Sequence, residues 1–131
     1  MNDSARTIQG PHGPFARQEN GLIYFYKNDG VTIDKATALE YLKSVRALDD
    51  SGKARLIVIQ GHHVEYTFDA QHVLLTNALI SGLAFVIQTN TQLLTAGLLK
   101  DMAKTFQAKY PVAIFNHIEE AEEWLLALSA E

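Results

Sequence analysis

His62, His63 and His72 fall close together, with Glu65 and Asp69 between them. Neutral imidazoles and carboxylates are the ligand set of a zinc or similar divalent ion, and a histidine beside an acid can serve as a general base. The spacing argues against a shared ion. Adjacent residues of an extended segment point to opposite sides, so His62 and His63 diverge. A solvated loop is the expected reading, with no metal ligand, and an enzyme built on His63, His72 or Asp69 is the least favoured function. Glu119, Glu120, Glu122 and Glu123 form a second group that could be read as paired acid and base. Their spacing sets them on the outer side of a helix, away from Ile118, Ala121 and Leu125, where the first-turn carboxylates suit the helix dipole. The chain has no cysteine, which removes thiol catalysis and Cys-based zinc sites. No Ser–His–Asp arrangement emerges from the spacing, since Ser81-Gly82 reads as a helix stop. No catalytic residue and no cofactor is therefore expected.

The elements that must carry these residues follow from punctuation and periodicity. A loose arm over 1–13 is expected, broken by Gly10-Pro11 and Gly13-Pro14, and then one domain over 14–131. Asn20-Gly21 between two apolar runs predicts an antiparallel hairpin with strands over 14–19 and 22–27, ended by Asn28-Asp29-Gly30. Thr32 is the expected cap of a first helix with Ala36, Leu39, Leu42 and Val45 along its inner side. The run over 55–59 reads as a short buried strand, and Gly61-His62-His63 as the loop leaving it. Thr67 or Asp69 caps a second helix bearing Ala70, Val73, Leu74 and Ala78, which Ser81-Gly82 ends. A strand over 83–87 follows, then a third helix capped by Thr91 and a strand over 112–115. Asn116 with Glu119 has the form of a capping box for the last helix. The order ββαβαβαβα implies an α/β domain with a mixed, mostly parallel sheet.

Size and charge bound the function. The 131 residues make one domain with a real core, 47% hydrophobic and 20% charged. A net charge of -4 and scattered basic residues argue against a nucleic-acid surface. The start of the chain lacks the basic and apolar regions of a signal peptide, and no apolar run approaches the roughly 20 residues of a membrane span. A cytoplasmic, non-spanning protein is the expectation.

If the strands are parallel, their C-terminal ends share a rim where small ligands usually sit in open α/β sheets. Gly61, His63, Thr67, Asp69 and Thr91 are the rim candidates, with free helix N–H groups to hold a small anion. Gly97, inside the third helix, reads as a packing contact. That helix carries Leu94, Leu98, Met102, Phe106, Leu99 and Ala103 over about half its circumference, wider than one sheet needs. Leu98, Leu99, Met102 and Phe106 are thus candidates for a subunit interface or the wall of an apolar pocket.

The strings TFDAQHVLL, LAFVIQT and YPVAIFNHIEEAEEWL, with this element order, resemble small bacterial STAS-like (SpoIIAA-like) proteins, relatives of anti-sigma-factor antagonists. The resemblance covers about 22–128. It implies the STAS-like α/β fold and a non-enzymatic interaction or regulatory module, acting as a homodimer or on a protein partner. In the antagonist branch, the loop after the central strand ends in Asp-Ser-Ser-Gly, and its second serine is phosphorylated. Laying Gly61 on the loop glycine puts Tyr66, Thr67, Phe68 and Asp69 on those positions. Phe68 cannot accept phosphate, so Thr67 is the substitute the resemblance leaves. Together with Leu99, Met102 and Phe106, the resemblance also implies an alternative: a carrier for a small apolar or lipid-like ligand held between sheet and helices.

Overall fold

A computed structural model describes residues 6–128. Three central runs carry two apolar sets in alternation. Ile23, Phe25, Leu56, Val58, Leu83 and Phe85 belong to one buried cluster, while Leu22, Tyr24, Ile57, Ala84 and Val86 belong to another. Strands apolar on both faces must be covered on both faces, and that requirement sets the architecture. The strands are β1 (Arg6–Gly10), β2 (Gly13–Arg17), β3 (Ile23–Tyr26), β4 (Thr32–Ile33), β5 (Ala54–Ile59), β6 (Glu65–Tyr66), β7 (Ile80–Val86) and β8 (Val112–Phe115). The helices are α1 (Lys35–Leu48), α2 (Phe68–Leu75), α3 (Asn90–Thr105) and α4 (Ile118–Leu128).

The main sheet has six strands in the order β1-β2-β3-β5-β7-β8. The first three pair antiparallel, and β3, β5, β7 and β8 run parallel. The protein is thus α/β with a mixed sheet. α1, α2 and α3 bury Tyr41, Val45, Leu75, Ala96 and Leu99 in the cluster on one face. α4 covers the other face with Ala121 and Leu125. No described helix is long and apolar enough to cross a membrane.

Several local expectations are corrected. Residues 6–10, read as part of an arm, form β1 and pair with β2, while residues 1–5 lie outside the described part. Asp34 rather than Thr32 caps α1, its carboxylate accepting from the Thr37 N–H at 2.8 Å. Thr32 instead enters β4, which pairs with β6 in a small second sheet. The buried stripe of α1 is Ala38, Tyr41, Val45 and Leu48, and Leu39 is exposed. α2 ends at Leu75, and Ser81-Gly82 lies inside β7 rather than stopping a helix. At Gly82 a Cβ would come within 2.8 Å of a Leu128 methyl and 2.9 Å of a Leu125 methyl on α4, so a larger residue would make those side chains turn aside. Thr89 rather than Thr91 caps α3, through a capping box with Gln92. His117 occupies the position before α4, its carbonyl accepting from Glu120 and Ala121, so Asn116 stands one residue too early.

Gly61 leaves β5 so close to the end of β3 that a Cβ would sit 2.5 Å from the Asn28 carbonyl oxygen and 2.7 Å from that of Lys27. Those atoms are backbone and cannot swing aside. Gly61→Ala is therefore expected to lower unfolding free energy by about 1–3 kcal/mol in urea titrations, as overpacking does. An unchanged midpoint would show that the two chain segments are free to part.

A buried lysine at the strand ends

Lys27 follows β3 directly, and its N–H continues the ladder by donating to the Ile59 carbonyl at 3.1 Å. The two-residue period places it in phase with Ile23 and Phe25. Its side chain thus enters the core beneath α1–α3, where the residue is 7% exposed. The Nζ lies 4.3 Å from the ring centroid of Tyr66, 5.3 Å from that of Phe25 and 5.5 Å from that of Tyr41. It donates to the Tyr66 hydroxyl. Among the described residues it forms no ion pair; the pairs present are Arg17–Asp49 and Lys43–Glu40. Burial without a counter-charge disfavours the ammonium and drives the Lys27 pKa well below its ordinary value.

The surrounding tyrosines respond in the opposite sense. Desolvation pushes the Tyr66 hydroxyl above its usual range, although part of that residue reaches the surface. Burial likewise raises Tyr41, whose hydroxyl meets His12 Nδ1 at 2.7 Å. The Gln60 side chain is buried with neither end of its amide in a hydrogen bond of good geometry, yet near enough to Tyr66 to draw that pKa partly back.

Lys27 stands between two spaces. On the inside is a cavity of about 40 Å³, walled by Phe25, Tyr41, Val58, Phe85 and Leu99 among others. That is room for roughly two or three water molecules. On the outside is an open cleft at the C-terminal ends of β3 and β5, bordered by Lys27, Gln60, Gly61, His62 and Gln92. Gln92 fixes this rim. Its amide donates to the Gln60 carbonyl at 2.8 Å, and its oxygen accepts from the Thr89 N–H at 3.0 Å.

The residues singled out from the sequence are mostly dispersed. Gly61 borders the cleft. His63 is exposed in a left-handed conformation at φ 55°. Thr67 is exposed, its hydroxyl oxygen accepting from the Ala70 N–H at 3.2 Å as the cap of α2. Asp69 and Thr91 are exposed in the first turns of α2 and α3. The described residues bring together no group of three His, Asp or Glu able to hold a metal. His72 packs its ring edge-on to Phe106 at 5.0 Å. Glu122 departs from the solvated-face expectation, because it accepts a hydrogen bond from Tyr24. Burial and then this bond hold the Tyr24 pKa up at about 12.

The four residues left between interface and pocket now separate. Leu99 is 2% exposed and lines the cavity, whereas Leu98 is 50% exposed on the outer face. Met102 and Phe106 are half-buried at the edge of the core. Lys27 itself was missed, because the strand was ended at that residue. The signal was its phase with Ile23 and Phe25.

Comparison with family models, with curated proteins and with solved structures returns no match.

A methionine in place of Lys27 keeps the stem and removes the desolvated amine. Lys27→Met is expected to raise stability by about 1–3 kcal/mol at neutral pH, the range for an uncompensated buried polar group. The folded amine gives up its proton at lower pH than the unfolded one, so the unfolded chain binds more protons in the window between the two values. Wild-type stability must rise with pH there, by at most about 1.4 kcal/mol per pH unit for one proton. Denaturant titrations from about pH 7 to 9.5, below the tyrosine range, should show the variant's margin shrinking as pH rises. A margin independent of pH would mean the amine stays charged.

Proposed function

We propose that this chain is a non-enzymatic, STAS-like interaction module that self-associates through the outer face of α3. One observation carries the reading. Leu94, Leu98, Met102 and Phe106 follow one another at four-residue spacing, and Phe68 of α2 extends the row by packing on Phe106 at 5.4 Å. Leu94 is 75% exposed and Phe68 63%. A continuous apolar ridge in water marks a surface meant to be covered. Gly97 adds to this. A Cβ there would meet nothing within 4 Å, so the glycine is not the packing contact its position suggested. It weakens the helix by about 1 kcal/mol relative to alanine and leaves a flat place beside Leu94 and Leu98 where another backbone can approach.

A second copy suits such a ridge, because two identical four-residue ridges interdigitate across a two-fold axis at a crossing angle near -50° by the usual packing rules. The order of the sheet, with an antiparallel hairpin at one edge and parallel strands beyond, supports the STAS-like part of the reading. A cytoplasmic, bacterial setting goes with it. A second reading, a carrier for a small apolar ligand, is favoured by the apolar cavity under α1–α3. At about 40 Å³ that cavity admits only a short ligand unless its walls move apart.

Light scattering coupled to size exclusion tests self-association. The wild-type chain should run as a dimer, and the double variant Leu94→Lys, Leu98→Lys as a monomer with an unchanged far-UV spectrum. Gly97→Ala should stabilise the monomer by up to about 1 kcal/mol while weakening the dimer. A wild-type monomer at high concentration would end the reading.

A further inference from the structure

Lys27 is expensive to bury, and the hydrogen bond its amine makes in the core is to the Tyr66 hydroxyl rather than to a counter-charge. It is also the one residue that borders both the inner cavity and the outer cleft while carrying a reactive atom. We propose that its amine captures a short-chain aldehyde or ketone, which enters from the cleft and is held as an imine in the apolar chamber. The inference rests on the carrier reading only in placing a ligand in that chamber, and it is independent of self-association.

The chemistry follows from the surroundings. Burial lowers the amine's pKa and so enlarges the uncharged fraction, whose lone pair can attack. As the C–N bond forms, the carbonyl π pair moves to oxygen. Oxygen takes up a proton and nitrogen gives one up, yielding a carbinolamine. A second proton, delivered through the Tyr66 hydroxyl, lets that oxygen leave as water while the nitrogen lone pair closes the C=N bond as an iminium. The iminium then gives its N–H proton back to leave the neutral imine. Amine and carbonyl thus become imine and water, with no oxidant or reductant. The Tyr66 hydroxyl, hydrogen-bonded to Nζ, is placed to pass protons between nitrogen and oxygen. The rings of Tyr66, Phe25 and Tyr41 surround Nζ and favour the iminium cation that forms on the way.

The ligand class is set by charge and room. A carboxylate would require Lys27 to be protonated, bringing two charges into an apolar space. A neutral carbonyl carries no such penalty. The wall residues Val58, Phe85 and Leu99 suit an aliphatic tail, and the volume limits it to a few carbons.

The test uses the whole chain with propanal and sodium cyanoborohydride near neutral pH, read by intact mass and peptide mapping. Lys27 should be alkylated at least about tenfold faster than the exposed Lys35 and Lys43. Lys27→Met should lose the fast site, and Tyr66→Phe should slow it without abolishing it. Labelling of Lys27 no faster than the surface lysines overturns the proposal. Melting temperatures with 1-propanol, in wild type and Lys27→Met, address the carrier reading separately. A rise in both proteins without fast labelling removes carbonyl capture and leaves the carrier standing. No rise and no fast labelling removes both.

Discussion

The two-sided burial of β3, β5 and β7 is the constraint from which the rest follows. Each of these strands sends one apolar set toward α1–α3 and the other toward α4. A strand with both faces apolar cannot lie at a surface, so the chain must return helices to both sides. Gly82 shows how closely that is done, since the Leu125 and Leu128 methyls of α4 reach to within 3 Å of where its Cβ would stand. The antiparallel hairpin of β1 and β2 extends the sheet beyond β3, and Phe15 on β2 stacks on Phe25 with centroids 4.0 Å apart. Tyr41 of α1 then closes over the pair, 4.8 Å from Phe25 and 5.7 Å from Phe15.

Lys27 is a consequence of the same alternation. A residue in phase with Ile23 and Phe25 starts toward the core, and here the Lys27 side chain stays there instead of turning back to solvent. The fold tolerates the amine by surrounding it with ring faces and a phenol rather than with a carboxylate. That choice matters. A carboxylate would fix the ammonium as a buried ion pair, whereas aromatic faces and one hydroxyl supply no counter-charge and let burial lower the amine's pKa.

The order of the large elements was legible from the sequence because strongly apolar runs and helical periodicity survive without tertiary information. The strands at 55–59, 83–87 and 112–115 lie almost where β5, β7 and β8 are found. The misses share a cause. β1, β4 and β6 are short and polar, and only their pairing partners make them strands. Ser81-Gly82 carries the composition of a helix stop, but β7 begins before it, at Ile80, where the chain pairs with Ala54 of β5. The excess apolar arc of α3 was legible as an arc. Which of its residues face inward required the position of the sheet: Leu99 lines the cavity while its neighbour Leu98 faces water. The rim candidates follow from position, at the C-terminal ends of the parallel strands and the helix starts, and of them Gly61 lines the cleft. Lys27 was passed over because a lysine at a strand end usually snorkels to solvent.

Departures from what the fold alone would favour concentrate in two places. A cavity of about 40 Å³ costs about 1 kcal/mol at the slope measured for core cavities, and a desolvated amine beside an unbonded Gln60 amide adds to that. On the outer side of α3, an interior glycine without a packing role and a ridge of exposed leucines oppose helix stability and solubility. Elsewhere local preference and global packing agree, as in the Asp34, Thr67 and Thr89 caps and the glycine close approaches. Sequences specify a fold by such agreement, and violations persist where something other than folding is selected. The two sites lie on adjacent faces of one helix, about 100° apart, with Leu99 in the chamber wall and Leu98 on the ridge. Each can be altered by substitutions that leave the other untouched, so a loss at one site with the other intact identifies which of them the protein is built around.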